Sequence, residues 1–364
     1  MKKIIISLFA LGLLFGCAPQ KEIVKEKVEV IKEVIVEKEV PAAPVINYEI
    51  PPDWKDADKK AEKIKYFAPY LNDIKFFIDP GHGGTDRRGK SQDGKIVEAD
   101  VNLRVALFLR GYLEKAGARV ILSRDADSTV DLKYRSVLAN NSGADYFISI
   151  HHNAPGKDGD NSTNFTSTFY HATEEDYEYE ACERDLARFI QRDLSYVMGN
   201  PNGLGSFDGT YSDYNIYPKE GFSVLRRTEI PSVLVEASFF TNNREQQRLN
   251  NEEFNDIQAW GIFRGIGRYL VNGIPTVSFI REKTIKKGND LSLQFLLKDE
   301  KGINKKSIEV LVDKKEVEFE YSTKDGILSI KIKDVKKGEH EVKVTAANKN
   351  GNHTLPFIQK VIVK

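Results

Sequence analysis

Between residues 75 and 273, apolar runs of strand length alternate with amphipathic stretches of helical length. The runs lie at 75–79, 119–123, 145–150, 168–171, 223–227 and 233–237, and the helical patterns near 98–116, 131–141, 178–198 and 243–271. Alternation of this kind predicts an α/β domain built on a mainly parallel twisted sheet with helices on both faces. The runs FFID, YFISI and VLVEA are apolar enough for central strands.

After Pro275 the grammar changes. LSLQFLLKD, SIEVLVDKKEV, GILSIKIKDV, EHEVKVTAANKNG and FIQKVIVK alternate with period two, separated by charged or glycine turns, and no helical window survives. This predicts a small all-β sandwich, which resembles bacterial immunoglobulin-like modules. The segment holds no catalytic constellation, and His340 and His353 read as surface residues. The expected organisation is a leader at 1–16, an N-terminal stalk at 17–50, the α/β domain at 51–274 and the sandwich at 275–364. The junction Gly273–Pro275 suggests an independently folding module; the alternative is a sandwich that packs on the α/β domain.

The first residues bear on location. Lys2 and Lys3 precede an apolar stretch at 4–16 that ends at Cys17. That stretch is shorter than the roughly 20 residues of a spanning helix and reads as a signal-peptide core. Leu14–Cys17 resembles the lipobox of bacterial lipoproteins. The resemblance implies acylation of Cys17 and a membrane anchor at the cell envelope, with Ala18 favouring the outer membrane, facing the periplasm. Residues 18–50 are low in complexity. Val24, Val28, Ile31 and Ile35 follow a heptad seam, while Val28, Val30, Val34, Val36 and Val40 follow strand alternation, and β-branched crowding weakens the helix. The other cysteine, Cys182, has no partner once Cys17 is lipidated, which excludes a disulfide framework and predicts a buried apolar filler.

Charge excludes one class of partner. The chain's 54 basic and 54 acidic residues cancel, so no net field draws it to nucleic acid or to an anionic membrane surface. Its 364 residues suit two domains plus accessory segments.

Two of the six histidines stand where strands end, the usual position of a site in an α/β sheet. His82 follows FFIDPG between glycines, and His151 follows YFISI. Glu98 opens the next helix after His82. Two imidazoles and one carboxylate form the ligand set of catalytic zinc hydrolases, with the fourth position left for water. Glu236, inside the apolar run VLVEA, is costly there as an unpaired charge. Either it is a general base facing the metal, or it pairs with Arg226 or Arg227.

The segments FFIDPGHGGTD, VEADVNL, SRDAD, ANNSGADYFISIHHNA and IPSVLVEASFFTN together resemble the zinc-dependent N-acetylmuramoyl-L-alanine amidases of the Amidase_3 type. The resemblance covers roughly residues 75–270, with the motifs in family order. It implies zinc ligands at His82, Glu98 and His151, a catalytic glutamate at Glu236, and peptidoglycan as substrate, cut between N-acetylmuramic acid and L-alanine. His152 occupies a position that varies in the family. Ala99 replaces a lysine usual after the ligand glutamate. Arg226 and Asn153 are candidates for substrate contact. Residues 200–222 are longer and richer in tyrosine than expected, a substrate-side loop or a surface insertion. The polar stretches 155–166 and 200–222 are too rich in glycine for an inhibitory helix, so an open site is expected. Whether a protein activator is needed is left open. The main alternative is an inactive amidase fold serving as a cell-wall-binding lipoprotein; a zinc carboxypeptidase or deacetylase fits the motifs less well.

Overall fold

A computed structural model describes residues 21–28, 32–39, 50–157, 159–200, 208–288 and 290–363. Cys17 and the apolar stretch 4–16 lie outside the described residues, as do 201–207 of the tyrosine-rich segment. Among the described residues no helix is long and apolar enough to cross a membrane. Two strands, β1 (Lys21–Val28) and β2 (Lys32–Glu39), pair antiparallel, so this stretch follows its strand alternation and not its heptad seam.

The described residues from Ile50 onward form one compact unit. It begins with helices the strand–helix grammar did not announce, α1 (Pro52–Lys55) and α2 (Ala57–Leu71). Asp56 starts α2 by accepting the amides of Asp58 and Lys59, and Phe67 and Leu71 anchor it in the core. Then follow β3 (Lys75–Pro80), α3 (Glu98–Lys115), β4 (Arg119–Leu122), α4 (Leu132–Asn141), β5 (Tyr146–Asn153), β6 (Ser167–Tyr170), α5 (Ala181–Met198), β7 (Thr210–Ser212), α6 (Ser223–Arg226), β8 (Ser232–Phe239), α7 (Asn243–Leu249) and α8 (Glu252–Val271). The sheet order is β4-β3-β5-β8-β6-β7, parallel throughout except where β6 meets β8.

Two expectations are corrected. The run 223–227 is not a strand but the short helix α6, whose Val224 and Leu225 are buried beside α4. The pattern 243–271 is two helices, because Asn251 breaks it by capping the amide of Glu253 at the start of α8.

Strand alternation divides the core. Phe76, Ile78, Ile148, Ile150, Val233 and Val235 pack with α2, α3, α5 and α8 in the larger cluster. Phe77, Phe147 and Leu234 face the other way, into a small cluster with Ala139 of α4 and Val224 and Leu225 of α6.

Two sheets form the C-terminal sandwich. One holds β9 (Thr276–Phe279), β10 (Ile285–Lys287), β11 (Asp290–Lys298), β14 (Phe319–Ser322) and β15 (Ile327–Ile332). The other holds β12 (Glu309–Val312), β13 (Lys315–Glu316), β16 (Gly338–Thr345) and β17 (Ile358–Val363). Leu291, Leu293, Phe295, Leu328, Ile330, Val342 and Val344 fill the space between them. The sandwich packs on the α/β part. Asn352 donates to the carbonyls of Tyr269 and Gly273, Asn348 donates to those of Asn272 and Gly273, and His353 binds Asp185 of α5 through its amide and Nδ1, both at 2.8 Å. His353 is therefore an interface residue. His340 is half-buried against Asp313 within the sandwich.

Candidate active site

The loop after β3 turns sharply at His82, whose φ of 58° is left-handed and unusual for a residue with a side chain. Several groups hold it there. Arg135 of α4 donates to the carbonyls of Pro80 and His82 and pairs with the fully buried Asp79 at 2.6 Å. Arg124 donates to the carbonyls of Pro80, Gly81 and Ala99, which ties the loop to the first turn of α3. Gly81 is required by close approach: a Cβ there would lie 2.2 Å from the His151 ring.

Three of the predicted residues converge. His82 Nε2 lies 3.3 Å from Glu98 Oε2, and His151 Nδ1 lies 3.1 Å from Glu98 Oε1. One donor atom from each side chain falls within 4.8 Å of the other two. A tetrahedral ion with bonds of about 2.0–2.1 Å separates its ligand atoms by roughly 3.3–3.4 Å, close to the 3.3 and 3.1 Å between each imidazole and Glu98. Asp86 accepts from His82 Nδ1 at 2.8 Å, which aims Nε2 at the cluster. Burial of the His82 ring opposes its protonation, but the bonds and charges of Glu98 and Asp86 outweigh it and raise its pKa to about 9. Burial likewise works against an ionised Glu98, yet the two histidines hold its carboxyl below the usual range.

Glu236 sits opposite His151 in the β5–β8 register, on the same face of the sheet. Its Oε2 is shut from solvent without a hydrogen-bond partner, so the ion-pair alternative fails. Arg226 donates instead to the carbonyl of Glu220, and Arg227 to Ser223 Oγ. Burial, then the charge of Glu98, push the Glu236 carboxyl well above its ordinary range. A carboxyl whose Oε2 is buried and unpartnered, beside two imidazoles and a second carboxylate, fits a nearby cation.

His82, His151 and Glu236 line one open cavity of about 640 Å³. Its other wall comes from the tyrosine-rich segment: Tyr217, Glu220, Gly221 and Phe222, continuing to Arg226. The end of the segment, from Tyr217 to Phe222, therefore stands on the cavity side, and Arg226 with it. Asn153 does not line the cavity; its amide oxygen accepts the amide of Ala154.

Sequence reasoning missed the residues behind the ligands. His152 points to the opposite face of β5, fully enclosed, with Nδ1 bonded to Asn102 Oδ1 and Nε2 accepting from Gln258. Asn102 in turn donates to Glu98 Oε1 and to the Gly81 carbonyl. Burial lowers the His152 pKa to about 4, so it is a neutral brace. Strand parity alone separates His151 from His152 and is a signal the sequence contains. Cys182 is buried, and burial raises its thiol pKa, as befits a filler.

Residues 76–268 match the family model described as N-acetylmuramoyl-L-alanine amidase. The germination-specific N-acetylmuramoyl-L-alanine amidase of Bacillus subtilis is 31% identical over 209 residues, 53% of this chain and 78% of that protein. The N-acetylmuramoyl-L-alanine amidase CwlM of Bacillus licheniformis is 34% identical over 202 residues, 54% of this chain and 68% of that one. A crystal structure of N-acetylmuramoyl-L-alanine amidase from Clostridium difficile 630 aligns with a TM-score of 0.47 at 32% identity, covering 55% of this chain and 98% of that chain.

Proposed function

The chain belongs to the N-acetylmuramoyl-L-alanine amidase family, and on that premise we propose that it hydrolyses the amide between N-acetylmuramic acid and L-alanine in peptidoglycan, with zinc held by His82, Glu98 and His151 and with Glu236 as general base. The observation that carries the reading is the cluster of His82, Glu98 and His151, whose two histidines line one cavity together with the unpartnered Glu236. A dication bound there supplies Lewis-acid polarisation of the amide carbonyl, a more acidic water, and positive charge that favours the Glu236 carboxylate. Glu236 Oε2 takes the proton of the attacking water and passes it to the departing amine nitrogen. Asp86 and Asn102 keep His82 Nε2 and Glu98 aimed inward. The wall from Tyr217 to Arg226 contacts the peptide stem or glycan beside the scissile bond.

Residues 2–17 extend the proposal to export and an acyl anchor at Cys17, with the enzyme facing the wall from the outer membrane. Mass spectrometry of purified peptidoglycan digested by the protein tests the reaction. Free stem peptides beginning at L-alanine are expected. Release of no fragments, with the metal bound, returns the chain to the alternative of a wall-binding lipoprotein.

A further inference from the structure

Lys343 presents a problem of charge. It lies in β16 between Val342 and Val344, whose side chains enter the sandwich core, so its own side chain points outward. An outward lysine normally reaches water, yet this one is only 6% exposed. What covers it is the loop between β6 and α5. Its Nζ donates to the carbonyls of Tyr177 and Tyr179 at 3.1 and 3.0 Å and pairs with Glu180 at 2.8 Å. Lys314 of the sandwich lies 4.6 Å from the Tyr177 ring. Buried ion pairs are weak sources of stability, since desolvation offsets their attraction; their better-attested use is to fix register.

The register fixed here continues to the cavity. The same loop carries Glu178, which meets His171 Nε2 at 3.2 Å, and Asp176, which accepts from the Tyr214 hydroxyl at 3.2 Å. His171 Nδ1 reaches Asp213 Oδ2 at 2.9 Å. Asp213 is completely buried and also accepts the amides of Ala172 and Phe222. Gly221 folds over it so tightly that a Cβ would fall 2.2 Å from its carboxylate. Asp213 thus pins both ends of the segment whose Tyr217, Glu220 and Phe222 wall the cavity opposite His82 and His151.

We propose that the sandwich is a positioning element for substrate binding: Lys343 seats the 176–180 loop, and Glu178, His171 and Asp213 transmit that seating to the cavity wall. None of these residues touches the reacting atoms. The inference rests on the amidase reading for what the wall binds, but the mechanical coupling stands apart from it. It also opposes treating residues 275–364 as a detachable module.

The full-length chain tests it through two variants, Lys343→Met and the milder Glu178→Gln, whose parent carboxylate is mostly solvent-exposed. Hydrogen exchange at the amides of Ala172 and Phe222, both bonded to Asp213, reads the wall directly and needs no substrate. Faster exchange at both is expected in each variant, with metal content unchanged. With soluble muropeptides, KM is expected to rise by roughly 2- to 30-fold while kcat holds. Exchange that stays at the wild-type rate in both variants overturns the coupling. Faster exchange with an unchanged KM leaves a structural tie and overturns the positioning role. A wild-type protein that cleaves no muropeptide defeats the amidase reading, while the exchange result still decides the coupling. If Lys343→Met fails to fold, Glu180→Gln, at the Lys343 pair, decides the link from sandwich to loop and Glu178→Gln the link from loop to wall.

Discussion

On one face of the central sheet, Ile148, Ile150, Val233 and Val235 meet three long helices, α3, α5 and α8. On the other, Asp79, Leu234, His151 and Glu236 meet Arg135 of α4, Val224 of α6 and the cavity. His151, Leu234 and Glu236 come from the same strands as the first set. The first face is dry and closed by Trp260, Phe263 and Tyr269. The second holds charge that the dry face could not tolerate, because α4 and α6 cover it only in part. Adjacent histidines show the difference at closest range: His151 opens to the ligand cluster, while His152 is a neutral strut in the dry layer. A parallel strand buried on both faces can therefore carry structure and chemistry on alternate residues.

The largest break in that comparison is removal of a ligand. His82→Ala or His151→Ala should lose the single bound metal and the activity together, with the fold intact, as read by metal analysis and circular dichroism. Stoichiometric metal in both variants would remove them from the ligand set. On the dry face, Trp260→Ala should cost about 3–5 kcal/mol in urea unfolding while metal content at low temperature stays at one per chain. A cost under about 1 kcal/mol would mean the dry face is not the structural one.

A smaller effect concerns His171. Burial disfavours its charged form, but Asp213, then Glu178 and Glu183, raise its pKa above the ordinary value of 6.5. A raised folded value means the stabilisation is complete below about 6.5 and fades as pH climbs through the folded value. The stability gap between wild type and His171→Gln should thus be widest in mildly acidic buffer, about 1–3 kcal/mol, toward the lower end because Glu178 is solvent-exposed. A gap that widens with rising pH would contradict the assignment. Smallest is the effect of Cys17→Ser on turnover, expected to be nil with soluble substrate, while the protein leaves the membrane fraction. Retention in that fraction would refute the acyl anchor.

Much of this was legible in the chain. Apolar runs of strand length predicted β3, β4, β5, β6 and β8, and helical patterns predicted most of the long helices, since the buried central strands leave a dense apolar signature. The short run at 223–227 misled, because five residues cannot show a period, and contact with α4 decides for a helix. Helix α2 was hidden by its lysines, which leave only Phe67 and Leu71 buried. The His82, Glu98 and His151 cluster was legible from residue type and strand ends. Its support was not: Arg124, Arg135, Asn102 and Gln258 act on carbonyls and side chains far away in sequence, and no local pattern marks such partners. The packing of the sandwich through Lys343 was equally silent, as an isolated lysine in a period-two strand reads as solvated.

The central claim is that Glu236 moves the proton while His82, Glu98 and His151 hold the metal. Its most direct test is Glu236→Gln, nearly isosteric but unable to accept a proton. With zinc content and melting temperature matched to wild type, release of stem peptides from peptidoglycan should fall by about 10²–10⁴-fold. Release within a few-fold of wild type by the metal-loaded variant would assign the proton transfer to another group and contradict the account.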